Sequence, residues 1–384
     1  MTKTIPSWIK DIEQLRQYLH QNPELSGEEH DTAHFLAKEL KHLEPAALHQ
    51  SIGGNGMVAV FDSGKPGPSV LFRTELDALP IEEINDMDYR SSRKNVSHKC
   101  GHDGHMAVMM GFARYLSETP PPRGRVLLLF QPAEEIGAGA EWMLGDEAFE
   151  EVLPVDYALA FHNLPGFPLG TIVCKEGPFS AAVQSLIIRL NGKTAHAGEP
   201  ENGRNPAMAI SEIIKEAYIA CQPDIAQEGF AILTPVHIQM GEVAYGVSAG
   251  YGEVHLTIRT RTEAEMESLS ERLLNYARRV AGKYELELDT EWTNVFRTTR
   301  NDREVAGLIE QAAEDNGFGY HQKDWAFKWG EDFGAFTQAF KGAMFGIGAG
   351  ESHPALHNPD YDFPDEITPV GINMYRRVTE LILG

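Results

Sequence analysis

Apolar positions recur at helical spacing near the start of the chain. Trp8, Ile12, Leu15 and Leu19, then Ala33, Leu36, Leu40 and Leu43, mark one face of a helical stretch over residues 8–43. Asn22-Pro23 and Ser26-Gly27 interrupt it. Two short apolar runs follow, Met57–Asp62 and Val70–Phe72, and the glycines and prolines at 64 and 66–68 predict a turn between two strands. Gly104–Ser117 returns to the helical period until Pro120–Gly124 stops it. Arg125–Phe130 and Tyr157–His162 then read as buried strands, with a helix starting between them over Gly137–Leu144. Strands alternating with helices predict an α/β fold with a mixed, mostly parallel sheet covered by helices.

From about Ser180 the pattern changes. Val183–Leu190 alternates with period two, Pro206–Tyr218 is amphipathic, Ile232–Met240 and Glu253–Thr260 alternate again, and Glu263–Val280 is a second helix. This β-α-β-β-α run is large enough to be a domain. The α/β character returns afterwards and ends in a helix over Pro369–Leu383. The expected organisation is a two-domain chain in which residues 1–179 and 287–384 form one domain and residues 180–286 are inserted into it.

Composition changes this picture little, but charge narrows the function. A chain of 384 residues suits two domains, and 42% hydrophobic residues can bury a large core. The net charge of −23 repels phosphate backbones and anionic lipid, so neither nucleic acid nor membrane is an expected partner. The start of the chain, from Met1 to Glu13, is polar, and no apolar run approaches the about 20 residues of a spanning helix. Three cysteines and no CxxC pair argue against a disulfide framework, which leaves a cytoplasmic location as the expectation.

Four segments carry candidate chemistry. Ser97–His105 packs three imidazoles, a thiol and a carboxylate into nine residues just before a helix. Within it Cys100 and His102 flank a glycine, so both side chains can turn toward one ion. Thiolate and imidazole suit zinc, and nearby carboxylates widen the choice to manganese, cobalt or nickel. At Leu128–Ile136 a buried strand is followed by adjacent carboxylates, Glu134 and Glu135, one able to bind metal while the other faces substrate as a general base. His162 ends an apolar strand, and Gly350–Pro359 brings two further histidines, including His357, from nearly the end of the chain. Taken singly, each has a structural explanation: a polar loop, a charged helix N-terminus, a core histidine, a surface turn. Taken together they make a metal hydrolase. The donors exceed what one catalytic zinc needs, so two ions about 3.5–4 Å apart are expected, acidifying a shared water from about 15.7 toward about 7.

These motifs also resemble a known family. Arg73–Pro80, Cys100-Gly-His-Asp-Gly-His105, Gln131-Pro-Ala-Glu-Glu135, His162-Asn163, Glu331-Asp-Phe333 and His357-Asn-Pro359, with His20–Ser26 before them, follow in the order of the two-metal aminoacylase/carboxypeptidase family. They are similar to its amidohydrolase branch of hippurate hydrolases, N-acyl-amino-acid deacylases and auxin-conjugate hydrolases. The resemblance implies Cys100, His102, Glu135, His162 and His357 as metal ligands. It further implies Glu134 as general base and Asp77 as the carboxylate that orients a ligating group. The inserted unit would be the lid or dimerisation domain, with His196 of Thr194-Ala-His196-Ala reaching the substrate. Glu75 and Asn205 stand where the family commonly has Asp, and Gly246-Val-Ser-Ala-Gly250 replaces its Asn-Val-Ile-Pro-Asp. The implied reaction is hydrolysis of a small N-acyl amino acid or related N-acyl amine, in a possible homodimer formed through the lid. A dipeptidase or carboxypeptidase, and a non-catalytic metal-binding relative, are the alternatives.

Overall fold

The computed structural model describes residues 7–384; residues 1–6, part of the polar start of the chain read above, lie outside the described residues. The chain divides into two compact units. One runs to Phe179 and resumes over Thr299–Asp324 and Asp332–Gly384, and the other is Ser180–Thr298 with Trp325–Glu331.

The first unit is built on an eight-stranded sheet. In spatial order its strands are Ala47–Ile52, Gly56–Asp62, Arg125–Gln131, Ser69–Glu75, Tyr157–Pro165, Lys341–Gly350, Ile172–Cys174 and Tyr320–Gln322. The central four run parallel to one another, so their carboxyl ends lie along one edge of the sheet. Their side chains explain why they are central: Val126–Phe130, Val70–Phe72 and Ala158–Ala160 are fully buried, as strands covered on both faces must be. Helix His102–Glu118 buries most of its length, with Met106, Val108, Met109 and Phe112 inaccessible to solvent. It packs with helices Ile9–Gln21, Arg303–Asn316 and Thr368–Leu383 in one core.

Strand Lys341–Gly350 was not evident from periodicity, because four of its ten residues are glycine. Close approach accounts for two of them. A Cβ on Gly346 would lie 2.0 Å from Leu164 Cδ1, and one on Gly348 would lie 2.0 Å from the Pro168 carbonyl oxygen.

The second unit has a four-stranded antiparallel sheet ordered Ala231–Met240, Tyr251–Thr260, Ala182–Asn191, Glu287–Phe296. Leu186, Ile188, Leu190, Val254, Leu256 and Ile258 face helices Ala207–Ala220 and Glu263–Lys283 in a separate core. Thr262 and Glu265 form a capping box at the start of the second helix. The sequence pattern ended this unit at residue 286, but Glu287–Phe296 pairs along Ala182–Asn191, so the unit is β-α-β-β-α-β. That strand contains no buried residue, which is why hydrophobic alternation did not reveal it.

Candidate metal centre

The carboxyl ends of the parallel strands carry the predicted site residues of the first unit. Asp77 lies two residues beyond Ser69–Glu75, Glu134 and Glu135 follow Arg125–Gln131, His162 is within Tyr157–Pro165, and His357 follows Lys341–Gly350. Cys100 and His102 enter from the amino end of the His102–Glu118 helix. Between them Gly101 has φ +90°, and a Cβ there would lie 2.5 Å from Asn163 Oδ1. Only glycine fits that turn, and the turn aims the thiol and the imidazole into one space.

The side chains converge. Cys100 Sγ lies 3.4 Å from His162 Nε2. His102 Nε2 lies 3.9 Å from Glu135 Oε1 and 3.8 Å from Glu134 Oε2, and His357 Nε2 lies 3.8 Å from Glu135 Oε2. Two groups of potential ligand atoms, Cys100/His102/His162 and Cys100/Glu135/His357, each fall within 4.8 Å, and the cysteine sulfur is common to both.

Hydrogen bonds set the tautomers. His102 Nδ1 is 2.8 Å from the Asp77 carbonyl oxygen, and His162 Nδ1 is 2.8 Å from the Asn163 carbonyl oxygen. A carbonyl can only accept, so both Nδ1 atoms carry a proton and both Nε2 atoms are the nitrogens left to face the pocket. His102 Nε2 is buried and has no hydrogen-bond partner among the described residues. Burial alone would lower the His102 pKa, but Asp77, Glu75 and Glu135 together raise it to about 10. The surrounding carboxylates therefore favour positive charge at this nitrogen, whether a proton or a metal ion in its place carries it. Burial and the neighbouring His105 instead hold His162 well below the usual imidazole range, in the neutral form a ligand needs. An unpartnered buried nitrogen, a thiol and a carboxylate in a pocket that favours a cation fit a divalent transition metal.

The second histidine of the CGHDGH segment is occupied elsewhere. His105 Nδ1 meets Glu75 Oε2 at 2.8 Å and its Nε2 meets Asn163 Oδ1 at 3.0 Å. Asn163 in turn donates to the Cys100 carbonyl at 3.1 Å and to Tyr361 Oη at 2.6 Å. Glu75, where the family commonly has Asp, also pairs with Arg73.

Several supporting residues were not singled out from the sequence. Asp77 Oδ2 accepts from the Ser26 hydroxyl at 2.7 Å and from the Glu135 backbone N–H at 2.9 Å. Glu29, fully buried, accepts the Ala133 N–H at 2.9 Å. Asp332 gathers Arg73 Nη2 at 2.5 Å, Gln131 Nε2 at 2.7 Å and the Ala140 N–H at 3.0 Å. The Glu331-Asp-Phe333 motif was the only sequence signal for Asp332; Glu29 had none.

His196 lies in the second unit. It pairs with Val247 across a two-stranded ribbon, and its Nδ1 accepts the Gly198 N–H at 3.0 Å. The Gly246–Gly250 segment forms the opposite side of this ribbon: the Gly246 carbonyl accepts from Ala197 N–H and the Gly250 carbonyl from Gly192 N–H. A Cβ on Gly250 would lie 2.4 Å from the Thr194 nitrogen, so glycine at 250 lets the ribbon close against the His196 strand.

The fold and the donor set define a metal-dependent hydrolase. The sequence profile of Peptidase family M20/M25/M40 matches residues 71–381, and the chain belongs to that family. It is 33% identical over 309 residues to the N-acetyl-L-cysteine deacetylase of Bacillus subtilis (strain 168), covering 79% of this chain and 72% of that one. It is 27% identical over 373 residues to the hippurate hydrolase of Campylobacter jejuni, covering 96% and 95%. Among solved structures it is similar to the YxeP protein of Bacillus subtilis, described as a dinuclear metal-binding peptidase of the M20 family. That match has a TM-score of 0.83 at 26% identity and covers 98% of this chain and 99% of the other. The protein is a metal-dependent amidohydrolase. No helix among the described residues is long and apolar enough to cross a membrane.

Proposed function

We propose that the protein removes the acyl group from a small N-acyl amino acid or related N-acyl amine, with Cys100, His102, Glu135, His162 and His357 holding two divalent ions and Glu134 acting as general base. The observation that carries this reading is the position of Glu134. Its carboxylate is buried and lies 3.8 Å from His102 Nε2, next to the proposed ligand Glu135. A carboxylate so placed can take a proton from an attacking water and pass it to the leaving amine. A protein that only stored metal would need no base there.

The ions would polarise the scissile carbonyl and make water a nucleophile at neutral pH. The chain's own contribution is orientation. Asp77 fixes His102 through its carbonyl and Glu135 through its carboxylate, while Asn163 fixes His162 through its carbonyl. His196 is assigned to the developing oxyanion on its Thr194-Ala-His196-Ala motif alone. The acyl reading is favoured over a dipeptidase by the two similar enzymes named above, a deacetylase and a hippurate hydrolase.

A cytoplasmic location is supported by three free cysteines. A homodimer through the second unit is supported by its edge strand Ala231–Met240, which exposes Val236, Ile238 and Met240 and leads to exposed Val243 and Tyr245.

The testing experiment is amine release from N-acetyl, N-benzoyl and N-indolylacetyl amino acids beside free dipeptides, with added manganese. Release from the acylated compounds, stopped by EDTA, is the expected result. Cleavage of free dipeptides alone would replace this reading with the peptidase one.

A further inference from the structure

We propose that His237, Glu253 and His255 form a second, zinc-type metal site on the second unit's sheet, on the face opposite its two helices. The strand pattern puts them there. Along Tyr251–Thr260 the even-numbered Gly252, Val254, Leu256 and Ile258 are buried, so Glu253 and His255 share the other face. Pro235 pairs with Leu256 and His237 with His255, leaving Val236 as the extra residue of a bulge. The bulge brings His237 directly opposite His255, on the same face as Glu253.

The spacing within the cluster is that of ligands rather than of hydrogen-bonded partners. His237 Nε2 and His255 Nε2 each lie 3.5 Å from Glu253 Oε1, and the three atoms fall within 4.8 Å of one another. Charge-assisted hydrogen bonds between nitrogen and carboxylate prefer about 2.7–2.9 Å. A tetrahedral ion with bonds of about 2.0–2.2 Å holds its donors about 3.3–3.6 Å apart. His255 Nε2 is buried at the atomic level and has no hydrogen-bond partner among the described residues.

Glu253 is prepared for the same role. Its Oε2 accepts the Tyr251 hydroxyl at 2.5 Å, which fixes the carboxylate with Oε1 facing the two imidazoles. Arg189 Nε approaches Glu253 Oε2 to 3.8 Å, but the guanidinium donates to Asp289 at 3.1 Å and Glu291 at 2.7 Å, which offset its charge. Two imidazoles and one carboxylate are a zinc donor set with a fourth position left for water. An ion there ties the edge strand Ala231–Met240 to its neighbour just beyond the bulge, a structural rather than a catalytic task.

The test is a zinc count on the full chain. Wild type, His237→Asn, His255→Asn and Glu253→Gln proteins are dialysed against the same zinc buffer and zinc per chain is measured by mass spectrometry. Wild type is expected to hold one more equivalent than each variant, and zinc is expected to raise its thermal midpoint more than theirs. Equal zinc content in wild type and the histidine variants would overturn the proposal. The three side chains are partly exposed, and circular dichroism checks that the variants fold. All four proteins keep the Cys100 cluster, so the difference in count does not depend on which amide the protein hydrolyses.

Discussion

The buried carboxylate of Glu29 accepts the backbone N–H of Ala133 at 2.9 Å, and Ala133 has φ +52°. A non-glycine residue in the left-handed region costs about 1–3 kcal/mol and persists only where its surroundings enforce it. Here Glu29 holds the turn from one side, and Gly139 N–H donates to the Ala133 carbonyl at 3.1 Å from the other. The next residue is Glu134. The turn thus sets the direction of the proposed base.

Glu29→Ala is therefore expected to lower kcat by about 10–100-fold while metal content stays at the wild-type level. Glu29→Gln keeps an oxygen for the Ala133 N–H and should recover most of that loss. If both variants fell equally, or if metal were lost with activity, Glu29 would be holding the fold rather than aiming Glu134.

Asp77→Asn tests the orientation of the ligands themselves. Asp77 touches two proposed ligands, one through its main chain and one through its side chain. Carboxylates that hold a ligand in place typically cost about 10–100-fold in metal affinity or activity when changed. A competition titration with a chromophoric chelator should show weaker metal binding in that range. Unchanged affinity and unchanged kcat would remove Asp77 from the account.

The three cysteines should separate by reactivity. Burial pushes the Cys174 thiol up to about 12, so it stays protonated and inert. Cys221 is partly exposed, and Cys100 faces the proposed ions. Iodoacetamide should label Cys100 in chelator-treated protein and fail to label it after manganese or zinc is restored, as peptide mass mapping can show. Equal labelling with and without metal would deny Cys100 its role as ligand.

A buried ionic network behind the site makes stability depend on pH. His20 Nδ1 meets Asp103 Oδ2 at 2.8 Å and its Nε2 meets Glu83 Oε1 at 2.9 Å. Burial opposes its charge, but the two carboxylates, Asp103 above all, raise its pKa from 6.5 to about 9. The folded protein therefore holds this proton more tightly than the unfolded chain. The resulting stabilisation, on the order of 3 kcal/mol, is complete below pH about 6.5 and is lost as pH rises through about 9. Thermal midpoints of wild type should fall across that window, and His20→Gln should flatten the fall. A parallel fall in the variant would place the effect on another group.

How far the site could be read from the sequence depends on how local each relationship is. Cys100, His102, Glu134 and Glu135 were legible because a glycine turn and a strand end place them within a few residues of one another. The approach of His357 Nε2 to Glu135 exists only because Lys341–Gly350 runs parallel to Tyr157–Pro165, and that strand is disguised by its glycines. The family resemblance supplied His357 where periodicity could not. Glu29 and Asp332 were hidden for a different reason: their partners are mostly backbone N–H groups and distant polar side chains, which leave no spacing in the chain. Strand Glu287–Phe296 escaped because none of its residues is buried and only Leu288 and Trp292 pack against the core, too few to show an apolar alternation.

The central claim is that Glu134 moves the proton while its neighbours hold the metal. Glu134→Gln, assayed for release of amino acid from an N-acyl amino acid and analysed for bound metal in the same preparation, tests it most directly. The account predicts a loss of turnover of at least about 10²–10⁴-fold with metal content equal to wild type. Wild-type turnover in the variant, or metal lost together with activity, would contradict it, the second by making Glu134 a ligand instead of the base.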